Sequence, residues 1–166
     1  TLRLAQAQAL RELTREFGAT YIVNDDAQLA AAVDADGVHL GAADGEIAAA
    51  RALLGKDRLI GASCYNSLSL AQEAVRARAD YVAFGAFYTS SVKPEAVVAQ
   101  PQLLQAARRE LQVPLVAIGG ITATNGALLV QSGADALAVI SSLFEAADIQ
   151  VAAQNFATLF TQAKAS

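Results

Sequence analysis

The chain has little cysteine, few aromatic residues and no excess of positive charge. Its single cysteine, Cys64, excludes a disulfide within one chain, so we expect a cytoplasmic protein in a reducing environment. The formal net charge of −4 argues against nucleic acid or an anionic membrane surface as the main partner. No apolar run reaches the roughly 18 residues that a membrane-spanning helix needs. The expected partners are small molecules, and a homo-oligomer stays open.

Short apolar segments alternate with alanine-rich segments of helical spacing along the chain. Strands are predicted for residues 19–24, 37–41, 58–64, 80–87, 114–120 and 136–142. Helices are predicted for residues 1–18, 67–79, 100–111 and 123–133, with a last helix near 148–163. Strands that alternate with helices predict βα units and a parallel sheet, and strands this apolar predict a sheet covered on both faces.

Two architectures fit this alternation, an open doubly wound sheet and a closed barrel. The dinucleotide fingerprint G-x-G-x-x-G and the Walker loop are both absent, which weakens the doubly wound interpretation. Polar and glycine residues follow the strands, while the segments before the strands are plainer, as expected if function lies at one face of a barrel. The pattern therefore favours an α/β barrel, with one domain over residues 1–166, although six strands cannot close the usual TIM barrel of eight.

A loop rich in hydroxyl groups follows the fourth predicted strand. Thr89, Ser90, Ser91 and Lys93 offer the hydroxyl donors and the point positive charge that a phosphate requires. The alternative is an ordinary solvated turn closed by Lys93 and Pro94. Of the 12 lysines and arginines, only Lys93 lies in a predicted post-strand loop, which favours the phosphate site.

A glycine pair, residues 119–120, follows the next strand. Paired glycines allow positive φ angles and a close approach of the backbone to a ligand, and residues 140–141 at the last strand end could complete a phosphate cup. The alternative is a tight turn into a helix capped by Thr122 or Thr124. The two interpretations are compatible, because an anion at a helix N-terminus uses the same free N–H groups.

Acidic and amide side chains follow the first two strands. Asn24, Asp25 and Asp44 are candidates for a metal site, since Mg²⁺ binds carboxylate oxygens together with phosphate oxygens of a substrate. The alternative for each is a helix N-cap. His39 alternates with the apolar Val38 on its strand and points to the other face, so we favour a hydrogen-bonded structural histidine.

The chain resembles the thiamine-phosphate synthase family in six segments that keep the family's order and spacing. They are YIVNDD, DGVHLG with the following aspartate, IGAS, FGAFYTSSVKP, AIGGI and ALAVISS, and together they cover essentially the whole chain. The resemblance implies a (β/α)8 barrel that joins a hydroxymethylpyrimidine diphosphate to a thiazole phosphate and releases pyrophosphate with Mg²⁺. It also implies a dissociative reaction, in which the diphosphate leaves first and the thiazole nitrogen captures a pyrimidine cation.

The resemblance assigns roles by position. Asp25 and Asp44 are the expected Mg²⁺ ligands, and Ser63 and Lys93 are the candidate catalytic residues. The residues expected to bind substrate are Asn24, Ser63, Ser90, Lys93, Gly120, Ile140 and Ser141. This set suits the chemistry, because a leaving diphosphate needs charge neutralisation more than it needs an acid or a base.

Three positions depart from the family pattern. Val92 replaces a threonine of the phosphate loop, Ala42 replaces a common glutamine, and Tyr65 stands where relatives often carry histidine. Related thiazole tautomerases use that histidine for proton transfer, so Tyr65 disfavours this alternative. A thiazole tautomerase-like isomerase and a non-catalytic phosphate- or thiamine-binding barrel stay open as alternatives.

The family also supplies an arginine and a lysine from its second strand, in a Q-x-R-x-K pattern that this sequence lacks. We therefore expect about 40–50 further N-terminal residues, consistent with a barrel of about 200 or more.

Overall fold

The computed structural model describes residues 1–89 and 98–163. Its helices are α1 (Leu2–Glu16), α2 (Ala27–Ala32), α3 (Ile47–Leu54), α4 (Leu68–Arg76), α5 (Pro101–Glu110), α6 (Ala127–Gln131), α7 (Ser141–Phe144) and α8 (Ile149–Ala163). Its strands are β1 (Ile22–Asn24), β2 (Gly37–Leu40), β3 (Leu59–Tyr65), β4 (Tyr81–Phe84), β5 (Leu115–Ile118) and β6 (Ala136–Ala138). Among these residues, no helix is both long and apolar enough to span a bilayer.

The six strands form an α/β fold of the TIM-like kind, with parallel strands in chain order from β1 to β6. Each predicted strand is present, although five are shorter than predicted. The strand predicted for 80–87 ends at Phe84, and the next residue, Gly85, has a φ of 156° and donates its N–H to the Tyr65 carbonyl at 3.0 Å. In register, His39 of β2 lies opposite Asn24 of β1 and Gly61 of β3.

Two compact units are present. The first comprises residues 1–63 and 71–82, and its core surrounds the fully buried Val38 and Ile60. Alanines such as Ala30 and Ala50 are also buried there, and their small side chains let α2 and α3 pack closely on each other and on the strands.

The second unit comprises residues 64–70 and the described part of 83–166. Its core contains the fully buried side chains of Phe84, Leu104, Leu115 and Leu129. Helix α6 packs against α8, and α5 packs against β5, so that helices cover this core as the apolar strands predict.

One ion-pair arrangement, which we call the Arg–Asp clasp, occurs three times in the described part of the chain, at the beginnings of β2, β4 and β6. In each clasp an aspartate lies directly before the strand. Its carboxylate accepts a hydrogen bond from a main-chain N–H at or beside the start of the preceding strand. The same carboxylate also binds an arginine of the helix that leads into that preceding strand. The three sets are Asp36 with Tyr21 and Arg11, Asp80 with Ile60 and Arg51, and Asp135 with Leu115 and Arg108. The aspartate-to-amide distances are 2.8, 2.7 and 2.7 Å.

The clasps overturn the expectation that the segments before the strands are plain. In sequence each clasp is only an Ala-Asp pair, and the arginine lies 25, 29 or 27 residues earlier, so no local pattern indicates the contact. These bonds lie where strands begin, whereas the predicted site residues lie where strands end. The N-terminal ends of β2, β4 and β6 therefore carry ion pairs that stabilise the fold, whereas the predicted site residues lie toward the C-terminal ends of the strands.

Candidate active site

Asn24 and Asp25 lie where β1 ends, and both are solvent-exposed. The Asp25 N–H donates to the His39 carbonyl at 2.8 Å, which continues the β1–β2 ladder by one residue. Asp25 has a φ of 65°, in the left-handed region that aspartate tolerates better than most residues. The main chain therefore fixes the position from which the Asp25 side chain leaves the end of the strand.

Neither predicted metal ligand caps the helix that follows it. The N-cap of α2 is Asp26, whose carboxylate accepts the Leu29 N–H at 2.8 Å, and the N-cap of α3 is Glu46. The alternative that Asp25 and Asp44 serve as helix N-caps is therefore wrong. The exposed Asp44 instead accepts the Gly41 N–H through its carboxylate at 2.9 Å and so fixes the turn after β2.

The donor set at these strand ends fits magnesium. Among the described residues, no group of three or more histidine, cysteine or acidic side chains forms a metal cluster. Mg²⁺ does not require one, since it commonly binds one or two carboxylates and keeps its other positions for water and substrate phosphate. Asp25 and Asp44 together offer two carboxylates, which is the number of protein ligands that such a magnesium site uses.

Ser63 is held by the single histidine of the chain. Its hydroxyl oxygen lies 2.9 Å from Nε2 of His39, and the other ring nitrogen, Nδ1, lies 3.1 Å from the Tyr81 hydroxyl. The His39 and Tyr81 rings are stacked, with centroids 5.5 Å apart. The prediction of a hydrogen-bonded structural histidine is confirmed, and its partner is one of the predicted site residues.

Burial shifts the pKa of both stacked side chains, His39 and Tyr81. Desolvation lowers the pKa of His39, against a smaller opposing effect of the Asp44 carboxylate, so burial favours the neutral imidazole. Desolvation also raises the pKa of Tyr81 to about 12, so its phenol keeps its proton. The imidazole that contacts the Ser63 hydroxyl is therefore one whose neutral form burial favours.

Sequence reasoning missed Tyr81 and Gly61 as parts of this site. A Cβ atom built on Gly61 would lie 2.0 Å from Cζ of Tyr81, so the glycine makes room for the tyrosine ring over β3. An isolated glycine inside an apolar strand is a signal of close approach. The identity of the approaching ring, however, depends on strand register.

The glycine pair in the second unit has the predicted positive φ angles, 92° at Gly119 and 62° at Gly120. A Cβ atom on Gly120 would lie 2.6 Å from the carbonyl oxygens of Tyr88 and Thr89. The close approach that the pair permits is thus to the chain itself, at the segment that leads into residues 90–97. The Tyr88 N–H donates to the Gly119 carbonyl at 3.1 Å and fixes this contact.

The turn after the glycine pair differs from the prediction that Thr122 or Thr124 caps the helix. The N-cap of α6 is Gly126, without a side-chain hydrogen bond. Thr122 and Asn125 instead bond reciprocally, since the Thr122 N–H donates to the Asn125 side-chain oxygen at 2.8 Å and the Asn125 N–H donates to the Thr122 hydroxyl at 3.3 Å. These bonds close an extra turn before the helix begins.

The sequence predicts one strand over residues 136–142, but β6 ends at Ala138. Ile140 and Ser141 therefore lie beyond the strand. Ile140 is the exposed N-cap of α7, and Ser141 is the half-buried first residue of that helix. The neighbouring Ser142 donates its hydroxyl to the Ile121 carbonyl at 2.7 Å. This bond ties α7 to the segment that follows the glycine pair.

Other predicted positions are reached only in part. Ser90, Lys93 and Val92 lie outside the described residues, so their proposed roles stay predictions. Ala42 is exposed in the turn that Asp44 fixes, and Tyr65 ends β3 with an exposed side chain and a φ of 52°.

A family model, curated relatives and one solved structure match this chain under thiamine-phosphate synthase names. A family model described as thiamine monophosphate synthase matches residues 1–143, which include every predicted site residue. The thiamine-phosphate synthase of Methylobacillus flagellatus is 59% identical over 155 residues, covering 93% of this chain and 74% of that protein. That of Thiobacillus denitrificans is 54% identical over 158 residues, covering 95% and 75%. The solved thiamine phosphate pyrophosphorylase from Pyrococcus furiosus matches with a TM-score of 0.87 at 34% identity, covering 96% of this chain and 76% of that one.

Proposed function

The chain belongs to the thiamine monophosphate synthase family, whose members are transferases of thiamine biosynthesis, and we propose that it joins a hydroxymethylpyrimidine diphosphate to a thiazole phosphate to give thiamine phosphate and pyrophosphate. The observation that carries the proposal is the high identity to thiamine-phosphate synthases over nearly the whole chain. The positions of Asp25 directly after β1, Asp44 in the turn after β2 and Ser63 near the end of β3 support it.

Asp25 and Asp44 would hold the magnesium ion. Bound there, Mg²⁺ would supply positive charge to a diphosphate as its bond to the pyrimidine breaks. Their carboxylates suit this role because neither caps α2 or α3. Asn24, beside Asp25 at the end of β1, would contact the pyrimidine or the diphosphate.

Ser63 would donate its hydroxyl to the departing diphosphate. The imidazole of His39 supports this role, because its Nε2 lies 2.9 Å from the serine oxygen and the hydrogen bond holds the hydroxyl in place. Lys93 and Ser90 would supply a cation and a second hydroxyl from the loop after β4. With the leaving group neutralised in this way, the reaction needs no general acid. We propose the order that the family resemblance implies, in which the diphosphate departs before the thiazole nitrogen attacks.

The thiazole phosphate would bind at the glycine pair and the N-terminal residues of α7. Gly120, Ile140 and Ser141 would contribute main-chain N–H groups and a hydroxyl. The positive φ angles of 92° and 62° at residues 119 and 120 support this role, because they turn successive peptide groups into a tight curve.

We further propose that the fold is one domain of the (β/α)8 barrel type, that the protein acts in the cytoplasm, and that its partners are its small-molecule substrates, with a homo-oligomer as a further expectation. Six parallel strands in chain order support the barrel. The single cysteine supports the cytoplasm.

An omission experiment tests the proposed reaction against the isomerase alternative. The full-length protein is incubated with both substrates and Mg²⁺, and then with each substrate alone. The transferase makes thiamine phosphate only when both substrates are present. Conversion of the thiazole phosphate in the absence of the pyrimidine would support an isomerase, and binding without conversion would support a non-catalytic barrel.

A further inference from the structure

A short chain of hydrogen bonds runs from Tyr81 through His39 to Ser63. The two ring nitrogens of His39 are hydrogen-bonded to the Tyr81 hydroxyl, at 3.1 Å, and to the Ser63 hydroxyl, at 2.9 Å. The chain lies within the first unit, and Gly61 provides the space that the tyrosine ring occupies.

Two proton arrangements satisfy these distances. In the first, the Tyr81 O–H donates to Nδ1, and an Nε2–H donates to the Ser63 oxygen. In the second, an Nδ1–H donates to the Tyr81 oxygen, and the Ser63 O–H donates to Nε2. Neutral imidazole carries one N–H, so the bond at one nitrogen decides the role of the other.

The two arrangements leave Ser63 with opposite properties. In the first, the serine oxygen is held by an incoming N–H, and its own proton can be donated to another group. In the second, that proton is consumed by His39, and the hydroxyl offers only lone pairs. An anionic oxygen accepts hydrogen bonds and repels lone pairs, so only the first arrangement makes Ser63 useful to a phosphate.

The chemistry of the two hydroxyls favours the first arrangement. A phenol is more acidic than an aliphatic alcohol and is the better donor, while the serine oxygen is the better acceptor. We infer that His39 is a positioning residue: Tyr81 fixes its Nε2–H tautomer, and that N–H orients the Ser63 hydroxyl so that its proton is donated to a substrate oxygen. The identity of that oxygen, on the leaving diphosphate, rests on the proposed function.

The tautomer can be measured without substrate, because His39 is the only histidine of the sequence. Two-bond ¹H–¹⁵N spectra of histidine-labelled full-length protein, prepared without a histidine tag, distinguish an Nε2–H ring from an Nδ1–H ring. The His39→Gln variant assigns the signal. We expect the Nε2–H tautomer, with a shift toward the other form in Tyr81→Phe. An Nδ1–H ring in the unmodified protein would overturn the inference.

Kinetics test whether His39 acts through Ser63. Tyr81→Phe should lower kcat/KM for the pyrimidine diphosphate by about 10- to 150-fold, as expected for the loss of one well-placed charge-assisted hydrogen bond, and should leave the KM for thiazole phosphate unchanged. In a Ser63→Ala background the same substitution should have almost no further effect. Tyr21→Phe is the matched control, because the Tyr21 hydroxyl has no hydrogen bond among the described residues.

Independent losses in the double variant would mean that Tyr81 and His39 only support the fold, and would refute the positioning role. Failure of the proposed function is separate, since it would appear as no thiamine phosphate from the unmodified protein. The tautomer result stands in either case.

Discussion

Replacing Arg11 by methionine removes the guanidinium of the first Arg–Asp clasp while keeping most of the apolar stem. The arginine side chain is 10% exposed and its Asp36 partner 31%, and the two nitrogen–oxygen bonds measure 2.7 and 3.0 Å. Hydrogen bonds to charged groups contribute about 1.5–3 kcal/mol. Two effects reduce the loss of folding stability in Arg11→Met. Asp36 keeps the Tyr21 N–H bond and reaches water, and the buried Arg11 Nε, which has no partner in the described residues, is removed as well.

We therefore expect the free energy of unfolding to fall by about 2 kcal/mol in Arg11→Met. Arg15→Met is the matched control one turn later on α1. Arg15 pairs with Asp34, but these side chains are 54% and 56% exposed, so the control should lose at most about 1 kcal/mol. With a urea m-value of about 2 kcal/mol/M, the Arg11→Met midpoint should fall by about 1 M.

The difference in stability between Arg11→Met and the unmodified protein should depend on pH, because the pKa of Asp36 depends on Arg11. The Arg11 hydrogen bond, followed by the Tyr21 N–H, lowers the pKa of Asp36 below its ordinary value of 3.8. A carboxyl group with a lowered folded-state pKa adds stability above its unfolded pKa and loses it as the pH falls through the folded value. The gap between Arg11→Met and the unmodified protein should therefore be constant from about pH 7 to 5 and shrink below about pH 4. Equal losses in both variants at pH 7, or a gap that widens in acid, would refute the reasoning.

Three further predictions concern the site. Asp25→Asn and Asp44→Asn should each lower turnover about 100-fold at limiting Mg²⁺, with partial recovery at high Mg²⁺, and full activity of both variants would exclude them as ligands. Gly120→Ala should lower Tm more than Gly18→Ala. The φ angles at the two positions are similar, 62° and 64°, but only a methyl group at residue 120 would meet backbone oxygens, at 2.6 Å. Equal losses in Tm would mean that the positive φ alone causes the strain. Lys93→Ala should lower kcat/KM for the pyrimidine diphosphate about 10- to 150-fold and spare the thiazole phosphate, whereas equal losses for both substrates would point to a structural role for the loop.

The fold was predictable in outline because buried parallel strands are short apolar runs separated by helical spacing. All six strands lie where these runs occur. Their ends were less predictable, since β4 ends at Phe84 although the apolar run continues to Phe87. The Arg–Asp clasps were not predictable, because their partners lie 25 to 29 residues apart and meet only through packing.

The site was predictable as a set of residue types at strand ends, but not as a set of contacts. Alternation along β2 indicated the face to which His39 points, whereas its bond to Ser63 depends on the register of β2 with β3. Likewise, the glycine pair indicated a close approach, but the sequence did not reveal that the approaching group is the main chain at Tyr88 and Thr89.

The most direct test of the central claim, that the chain is a transferase that releases diphosphate, is the stoichiometry of its two products. The full-length protein is mixed with both substrates and Mg²⁺, and thiamine phosphate and pyrophosphate are quantified from the same samples over time. The account predicts that both products appear at equal rates and in equal amounts. Pyrophosphate without thiamine phosphate, or neither product from folded protein, would contradict it.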